Sequence, residues 1–258
     1  MKRVKRPASE FLLIDIGNTR LKWATARPKG TIRVEGDIAT KEAGFQAIAS
    51  LARKYPKHRA VIASVVPALL PTFRRAFTGR LIEMNARLPN LGLRFNYPKP
   101  SELGADRIAA AVAAQGWNLH PAIIVACGTA TAFTVVDAKG RLCGGAIAPG
   151  LQAQLDALLG ATAQLPATDL RLPRRALAKS TRDAICTGVM LNYRGGAKEI
   201  LQELLKELPK HPKPNVILTG GNAPLLAKEL GPRVKLRPLL IFEGLLMIGA
   251  QRNTPISR

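Results

Sequence analysis

The apolar run FLLIDI at residues 11–16 contains one carboxylate, Asp15, and enters Gly17-Asn18-Thr19 directly. A carboxylate beside a glycine turn can hold Mg²⁺ directly or through water. Backbone N–H groups at such a turn, with the Asn18 and Thr19 side chains, can donate to phosphate oxygens. Lys22 can reach the same phosphates as a point charge. An ordinary hairpin tip favours the same Asn and Thr, so this turn does not decide by itself. Two further glycine elements follow. AIIVAC at 122–127 enters Gly128-Thr129-Ala130-Thr131, and NVIL at 215–218 enters Thr219-Gly220-Gly221-Asn222. Close backbone approach at the last suits a nucleotide base or ribose, although a plain strand-to-helix turn reads the same way. One short glycine motif is a weak signal; three in this order are much less expected by chance.

The elements that must position these groups alternate between strands and helices. Residues 11–16 and 20–25 read as a hairpin with Asp15, Asn18 and Thr19 at its tip. Residues 40–54 read as helix, 60–64 as a short strand, and 89–101, with prolines at 89, 98 and 100, as loop. An Ala-rich helix is expected from Asp106 to Gly116. Residues 122–127 and AFTVVDA form a second hairpin, followed by a helix from about Leu151. Residues 183–207 read as helix broken near Arg194-Gly195-Gly196. A strand at 215–218, a helix from Pro224 and a closing helix complete the pattern, which is that of an α/β protein. Laying FLLIDIGNTRLKWATA over AIIVACGTATAFTVVDA puts Gly17 on Gly128, Asn18 on Thr129 and Asp15 on Ala126. That repeat predicts a duplicated domain, with halves at 1–118 and 119–258 and two phosphate loops facing each other across a cleft.

Composition narrows the function class. The chain has 258 residues, 47% hydrophobic and 22% charged, an ordinary globular balance that argues against long disorder. No run of ~18 apolar residues predicts a membrane span. The opening MKRVKRPASEFLLIDIG looks a little like a signal peptide, but Asp15 interrupts its apolar run. Cys127, Cys143 and Cys186 lack paired metal spacing and fit free thiols in a reducing compartment, so a cytoplasmic protein is expected. His58, His120 and His211 are isolated and suggest no metal cluster. The net charge of +22 is compatible with nucleic acid or with a generally basic surface. The basic residues are scattered and no nucleic-acid-binding motif accompanies them.

With these residues in place the chain resembles the type III pantothenate kinases, within the actin and sugar-kinase superfamily. The resemblance is carried by IDIGNTRLKW at 14–23, YPKPSELGADR at 97–107, GTAT at 128–131, GGAIAPG at 144–150, STRDAICTG at 180–188 and LTGGNA at 218–223. It implies two duplicated ribonuclease-H-like (actin-like ATPase) domains with a nucleotide cleft between them. It also implies a homodimer that phosphorylates pantothenate at its primary hydroxyl, using ATP and Mg²⁺, in the first step of coenzyme A biosynthesis. ATP would be bound by Asp15, Ile16, Gly17, Asn18, Thr19, Arg20, Leu21, Lys22 and Thr129, with Asp15 holding Mg²⁺ through the nucleotide. Pantothenate would meet Tyr97, Gly104, Ala105, Asp106, Arg107 and Thr181.

In the family's arrangement Asp106 is the catalytic base. It stands at the predicted start of a helix, where the dipole favours an ionised carboxylate able to accept a hydroxyl proton. A first-turn acidic residue can equally be only stabilising. Arg107 would orient a carboxylate or phosphate, or form a surface salt bridge. Tyr97 would close on pantothenate, or simply pack. Thr181 would contact substrate, or cap its helix. Gly144, Gly145 and Gly150 would shape the backbone near the substrate.

The sequence departs from the family at two places. The family usually has Asp two residues before the second-loop glycine, where it helps hold a monovalent cation such as K⁺ or NH₄⁺; here that residue is Ala126. Ala132 replaces a common Thr. An alanine methyl cannot ligate a cation, so altered or absent monovalent-cation dependence is expected. The competing readings are a catalytically weakened relative acting as a regulatory or nucleic-acid-associated accessory protein, and a sister kinase acting on another small alcohol.

Overall fold

The computed structural model describes residues 10–28, 30–173, 175–209, 211–231 and 234–252. Its elements run in the order β1 (Phe11–Ile16), β2 (Arg20–Ala26), β3 (Arg33–Ala39), α1 (Phe45–Lys54), β4 (Arg59–Ser64), α2 (Leu70–Ala76), β5 (Leu81–Glu83), β6 (Arg94–Phe95) and α3 (Ala105–Gly116). There follow β7 (Ala122–Cys127), β8 (Ala130–Val136), β9 (Arg141–Gly144), β10 (Ile147–Pro149), α4 (Leu151–Gly160) and α5 (Thr181–Lys206). The chain closes with β11 (Asn215–Thr219), α6 (Ala223–Leu230), β12 (Val234–Leu236) and α7 (Leu240–Gln251).

Two compact units emerge. One extends to Asn118 and takes up the chain again from Leu239; the other is Leu119–Pro238. The first has the strand order β3-β2-β1-β4-β5, and the second β9-β8-β7-β11-β12 with β10 added on β8. The two orders are the same. In each, the first strand pairs antiparallel with its hairpin partner and parallel with the strand that follows a crossover. The hydrophobic patterns explain this. FLLIDI and AIIVAC are buried on nearly every residue, as strands covered on both faces must be.

Residues Leu239 to Arg252 do not stay with the second half, where the repeat in the sequence put them. Helix α7 packs against α3, and the reason is side-chain size. Ala109, Ala110, Ala111, Ala113 and Ala114 are buried along α3, and a Cβ on Gly244 of α7 would collide with the Ala109 carbonyl. Small residues on both helices allow this close backbone approach.

Other boundaries shift for local reasons. The expected helix at 40–54 begins at Phe45, after a single 3₁₀ turn at Thr40–Glu42. Strands β3, β5, β9 and β12, and helix α2, are too short or too polar to declare themselves in the sequence. The break expected near Gly195-Gly196 does not occur: α5 is continuous for 26 residues. Tyr193, Ala197 and Leu201 are buried on one face and hold the helix through the two exposed glycines. Their packing outweighs a propensity cost of about 1 kcal/mol per glycine. A Cβ at either glycine would have no neighbour within 4 Å. Gly195→Ala and Gly196→Ala should therefore each stabilise the protein by roughly 0.5–1 kcal/mol, read as a rise in the urea midpoint at unchanged slope.

Candidate functional site

In the first unit the end of β1 forms a held tip. The Gly17 N–H donates to the Arg20 carbonyl at 3.0 Å. Thr40 clamps the tip from the 3₁₀ turn after β3: its hydroxyl donates to the Gly17 carbonyl at 2.7 Å and its N–H to the Thr19 carbonyl at 2.9 Å. Asn18 and Thr19 are exposed above this clamp. Ile16 and Leu21 point into the core at 1% exposure, so only their backbones remain available to a ligand. The Arg20 guanidinium is paired with Asp37. Asp15 lies opposite Lys22 on β2 and Ala63 on β4.

Asp106 reaches the same neighbourhood from α3. Gly104 precedes the helix, and a Cβ there would lie 2.5 Å from the Asp106 Oδ1. The glycine thus keeps open the space that the carboxylate occupies. That oxygen accepts the Arg107 N–H at 2.8 Å. Val65 connects the elements: its N–H donates to the Ile16 carbonyl at 3.0 Å, and its side chain lies beside Gly104.

The electrostatics follow from this burial. Desolvation, then the Asp106 charge, push Asp15 up from 3.8 to about 7, against the opposing pull of Lys22. Asp106 is also raised, by desolvation, although the Arg107 N–H and charge act the other way. The expectation that a helix N-terminus would favour the ionised form of Asp106 is therefore reversed in its net sign, because burial outweighs the terminal N–H groups. Burial lowers Arg107, which the charges of Asp106 and Tyr97 partly restore. Tyr97, Asp106, Arg107 and Asp15 thus belong to one electrostatic neighbourhood. Two partly desolvated carboxylates with incomplete compensation fit a bound cation.

The second unit builds its turn from backbone alone. The Gly128 N–H donates to the Ala130 carbonyl at 3.0 Å, the Gly150 N–H to the Thr129 carbonyl at 3.0 Å, and the Asn222 N–H to the Cys127 carbonyl at 3.2 Å. A Cβ on Gly150 would strike the Gly128 and Thr129 carbonyl oxygens, and one on Gly220 would lie 2.5 Å from the Cys127 oxygen. Gly220 also has φ +91°, a conformation that favours glycine. Gly128, Gly150 and Gly220, from three separate stretches of the sequence, therefore meet at one turn, which leaves Thr129 exposed. Gly145, at φ +138°, lies against the Phe133 carbonyl and lets the chain return onto β8. Thr181 is exposed at the first turn of α5, where Ser180 performs the capping by accepting the Asp183 N–H at 3.2 Å.

Ala126 and Ala132 are direct cross-strand partners, and Ala126 also pairs with Thr219. The Thr219 hydroxyl donates to the Pro238 carbonyl at 3.4 Å. These three side chains supply no carboxylate. Among the described residues no group of three or more His, Cys, Asp or Glu could hold a metal ion, and no helix is long and apolar enough to cross a membrane. The sequence reading missed Thr40, which lies 23 residues from the glycine it clamps and belongs to no motif. The meeting of Gly150 and Gly220 at one turn was likewise invisible without the fold.

Twin units of identical strand order, each with a glycine tip at the end of its first strand, define the actin-like ATPase and sugar-kinase fold. The structure is similar to a protein of the Baf transcriptional-activator family from Campylobacter jejuni, with TM-score 0.60 and 21% identity, over 94% of this chain and 98% of that one. It is also similar to the activator of 2-hydroxyisocaproyl-CoA dehydratase from Clostridium difficile with bound ADPNP, with TM-score 0.52 and 12% identity, over 95% of each chain. Within this fold the chain belongs to the type III pantothenate kinase family, whose model matches residues 11–203. Type III pantothenate kinases from Methylacidiphilum infernorum and Akkermansia muciniphila are 35% and 34% identical to it, over 93% and 91% of this chain and 88% and 98% of their own.

The raised Asp15 has a consequence for stability. Below about pH 3 the carboxyl is largely protonated in both the folded and the unfolded chain. As pH rises toward 7 the unfolded chain releases the proton first, and the folded state loses stability. Asp15→Asn should raise the melting temperature at pH 8 in the absence of ligands, with the gain shrinking to nothing near about pH 3. A gain independent of pH would contradict the burial of an uncompensated charge.

Proposed function

We propose that this protein transfers the γ-phosphoryl group of ATP to the primary hydroxyl of pantothenate, giving 4′-phosphopantothenate in the first step of coenzyme A biosynthesis. The observation that carries this reading is the coupling of Asp15 to Asp106 in one desolvated neighbourhood, in a chain of the type III pantothenate kinase family. Phosphoryl transfer needs a positioned hydroxyl, an aligned phosphate and charge neutralisation. Asp106 serves as the base. Its carboxylate takes the hydroxyl proton as the hydroxyl oxygen bonds to the γ-phosphorus, and the bond from that phosphorus to the bridging oxygen of ADP breaks. Burial raises the Asp106 carboxyl above its ordinary range, which makes its carboxylate a stronger base than an exposed one.

Gly17 to Lys22 and Thr129 receive the nucleotide, the core-facing Ile16 and Leu21 through their backbones only. Asp15 would hold Mg²⁺ together with ATP phosphates and water, and the ion would supply charge neutralisation. Arg107 orients the pantothenate carboxylate, and Tyr97, Gly104, Ala105 and Thr181 complete the substrate contacts. The resemblance supports a homodimer. The free thiols Cys127, Cys143 and Cys186 support a reducing cytoplasm.

A coupled assay with ATP, Mg²⁺ and pantothenate tests the reading. Asp106→Asn should lower kcat by about 10²–10⁴ while the fold is kept. In the unaltered enzyme kcat/KM should fall on acidification with a limb above the ordinary carboxylate range, because Asp106 must be ionised to act and its titration is raised. Full activity in Asp106→Asn would remove it from this role.

The alanine pair at 126 and 132 supports a kinase whose monovalent-cation dependence is altered or absent. Replacing K⁺ by a bulky organic cation at matched ionic strength should leave the rate unchanged. Strong, saturable activation by K⁺ would overturn this.

A further inference from the structure

Beneath the second glycine turn lies a polar cluster that the phosphoryl-transfer chemistry does not use. Cys127 and Thr131 are cross-strand partners that flank the turn on β7 and β8. Both are buried, at 0% and 1% exposure, and so is Tyr193 of α5, at 2%. The Thr131 hydroxyl donates to the Tyr193 hydroxyl oxygen at 3.3 Å. The Tyr193 O–H in turn faces the Cys127 sulfur, an interaction that raises the phenol and opposes the rise of the thiol. The Cys127 thiol donates onward to the Val125 carbonyl at 3.7 Å. The three protons run one way along the chain Thr131, Tyr193, Cys127, Val125, so none is left over for a ligand.

Such a chain is costly to place in an apolar core. Its neighbours include Ile123, Val125, Phe133, Leu151 and Val189. Apolar residues of similar shape would fill the space without desolvating three polar groups, and such replacements are often neutral or stabilising. What the chain provides is direction. It ties both ends of one turn to one point on a long helix and fixes the rotamer of Thr131 next to Thr129. Tyr193 touches no ligand itself. It lies three turns along the helix that begins at Thr181, so one rigid element carries both the turn's anchor and a proposed substrate contact.

We infer that Tyr193 is a positioning residue for the nucleotide, holding the Gly128–Ala130 turn in its phosphate-binding form through Thr131 and Cys127. This rests on the proposed ATP role of that turn. The test is direct titration of ATP with Mg²⁺ into the full-length protein and its Tyr193→Phe and Thr131→Val variants, alongside the pantothenate assay. Each variant should weaken ATP affinity by about 5–10-fold, the worth of one buried hydrogen bond. The double variant should be no weaker than either single one, since both break the same chain. KM for pantothenate should be unchanged. Unaltered ATP affinity in both single variants would overturn the inference. So would additive losses, or equal losses for ATP and pantothenate in step with melting temperature, because a merely structural role gives those results. ATP binding without pantothenate turnover, still weakened by the variants, would support the anchor and overturn only the substrate assignment. No ATP binding by the unaltered protein would overturn both.

Discussion

The first unit is organised around two carboxylates that share one desolvated neighbourhood. Asp15 is the penultimate residue of a strand that is otherwise apolar, and Asp106 is the second residue of a helix lined with alanine. Neither position is chosen by folding stability. Each carboxyl raises the cost of ionising the other or suffers from its own burial, and Lys22 and Arg107 offset that cost only in part. A fold that keeps such charges has a use for them, since buried uncompensated charge is among the more expensive features a core can hold. The surrounding architecture can be read as its support: Thr40 clamps the tip, Val65 joins β1 to the start of α3, and Gly104 clears the space for the Asp106 carboxylate.

The second unit solves a similar problem with different materials. Its turn is shaped by backbone crowding. Gly150 and Gly220 each come so close to a turn carbonyl that a methyl group would displace it. Two helices, α4 and α6, therefore start where they touch the turn, and Tyr193 ties it from below. Charge is nearly absent. Where the first unit sets Asp15 opposite Lys22, the corresponding register of the second sets Ala126 opposite Ala132. Duplication preserved the strand order while the polar inventory diverged. An alanine pair cannot ligate, but it packs at no electrostatic cost.

Much of this was legible in the residues. Strands β1 and β7 were bounded correctly because unbroken apolar runs ending at glycine are unambiguous. The repeat was visible because both hairpins keep that pattern. The family was visible because six short motifs occur in order. Less could be read where packing competes with propensity. Gly195 and Gly196 suggested a broken helix, and the buried Tyr193, Ala197 and Leu201 overrode them. Asp106 suggested an ionised helix-start carboxylate, and burial reversed the sign.

By itself, then, the sequence determined the class of fold, its duplication, the family and the residue types at the turns, since these are written in periodicity and local spacing. Only the tertiary structure decided which unit receives the C-terminal helix, that Gly128, Gly150 and Gly220 meet at one turn, and that Tyr193 lies beneath it. The physical reason is that these depend on shape and desolvation. A helix finds its partner through small residues on both surfaces, and a carboxyl's charge state depends on water that other elements exclude. Neither quantity belongs to any short stretch of chain.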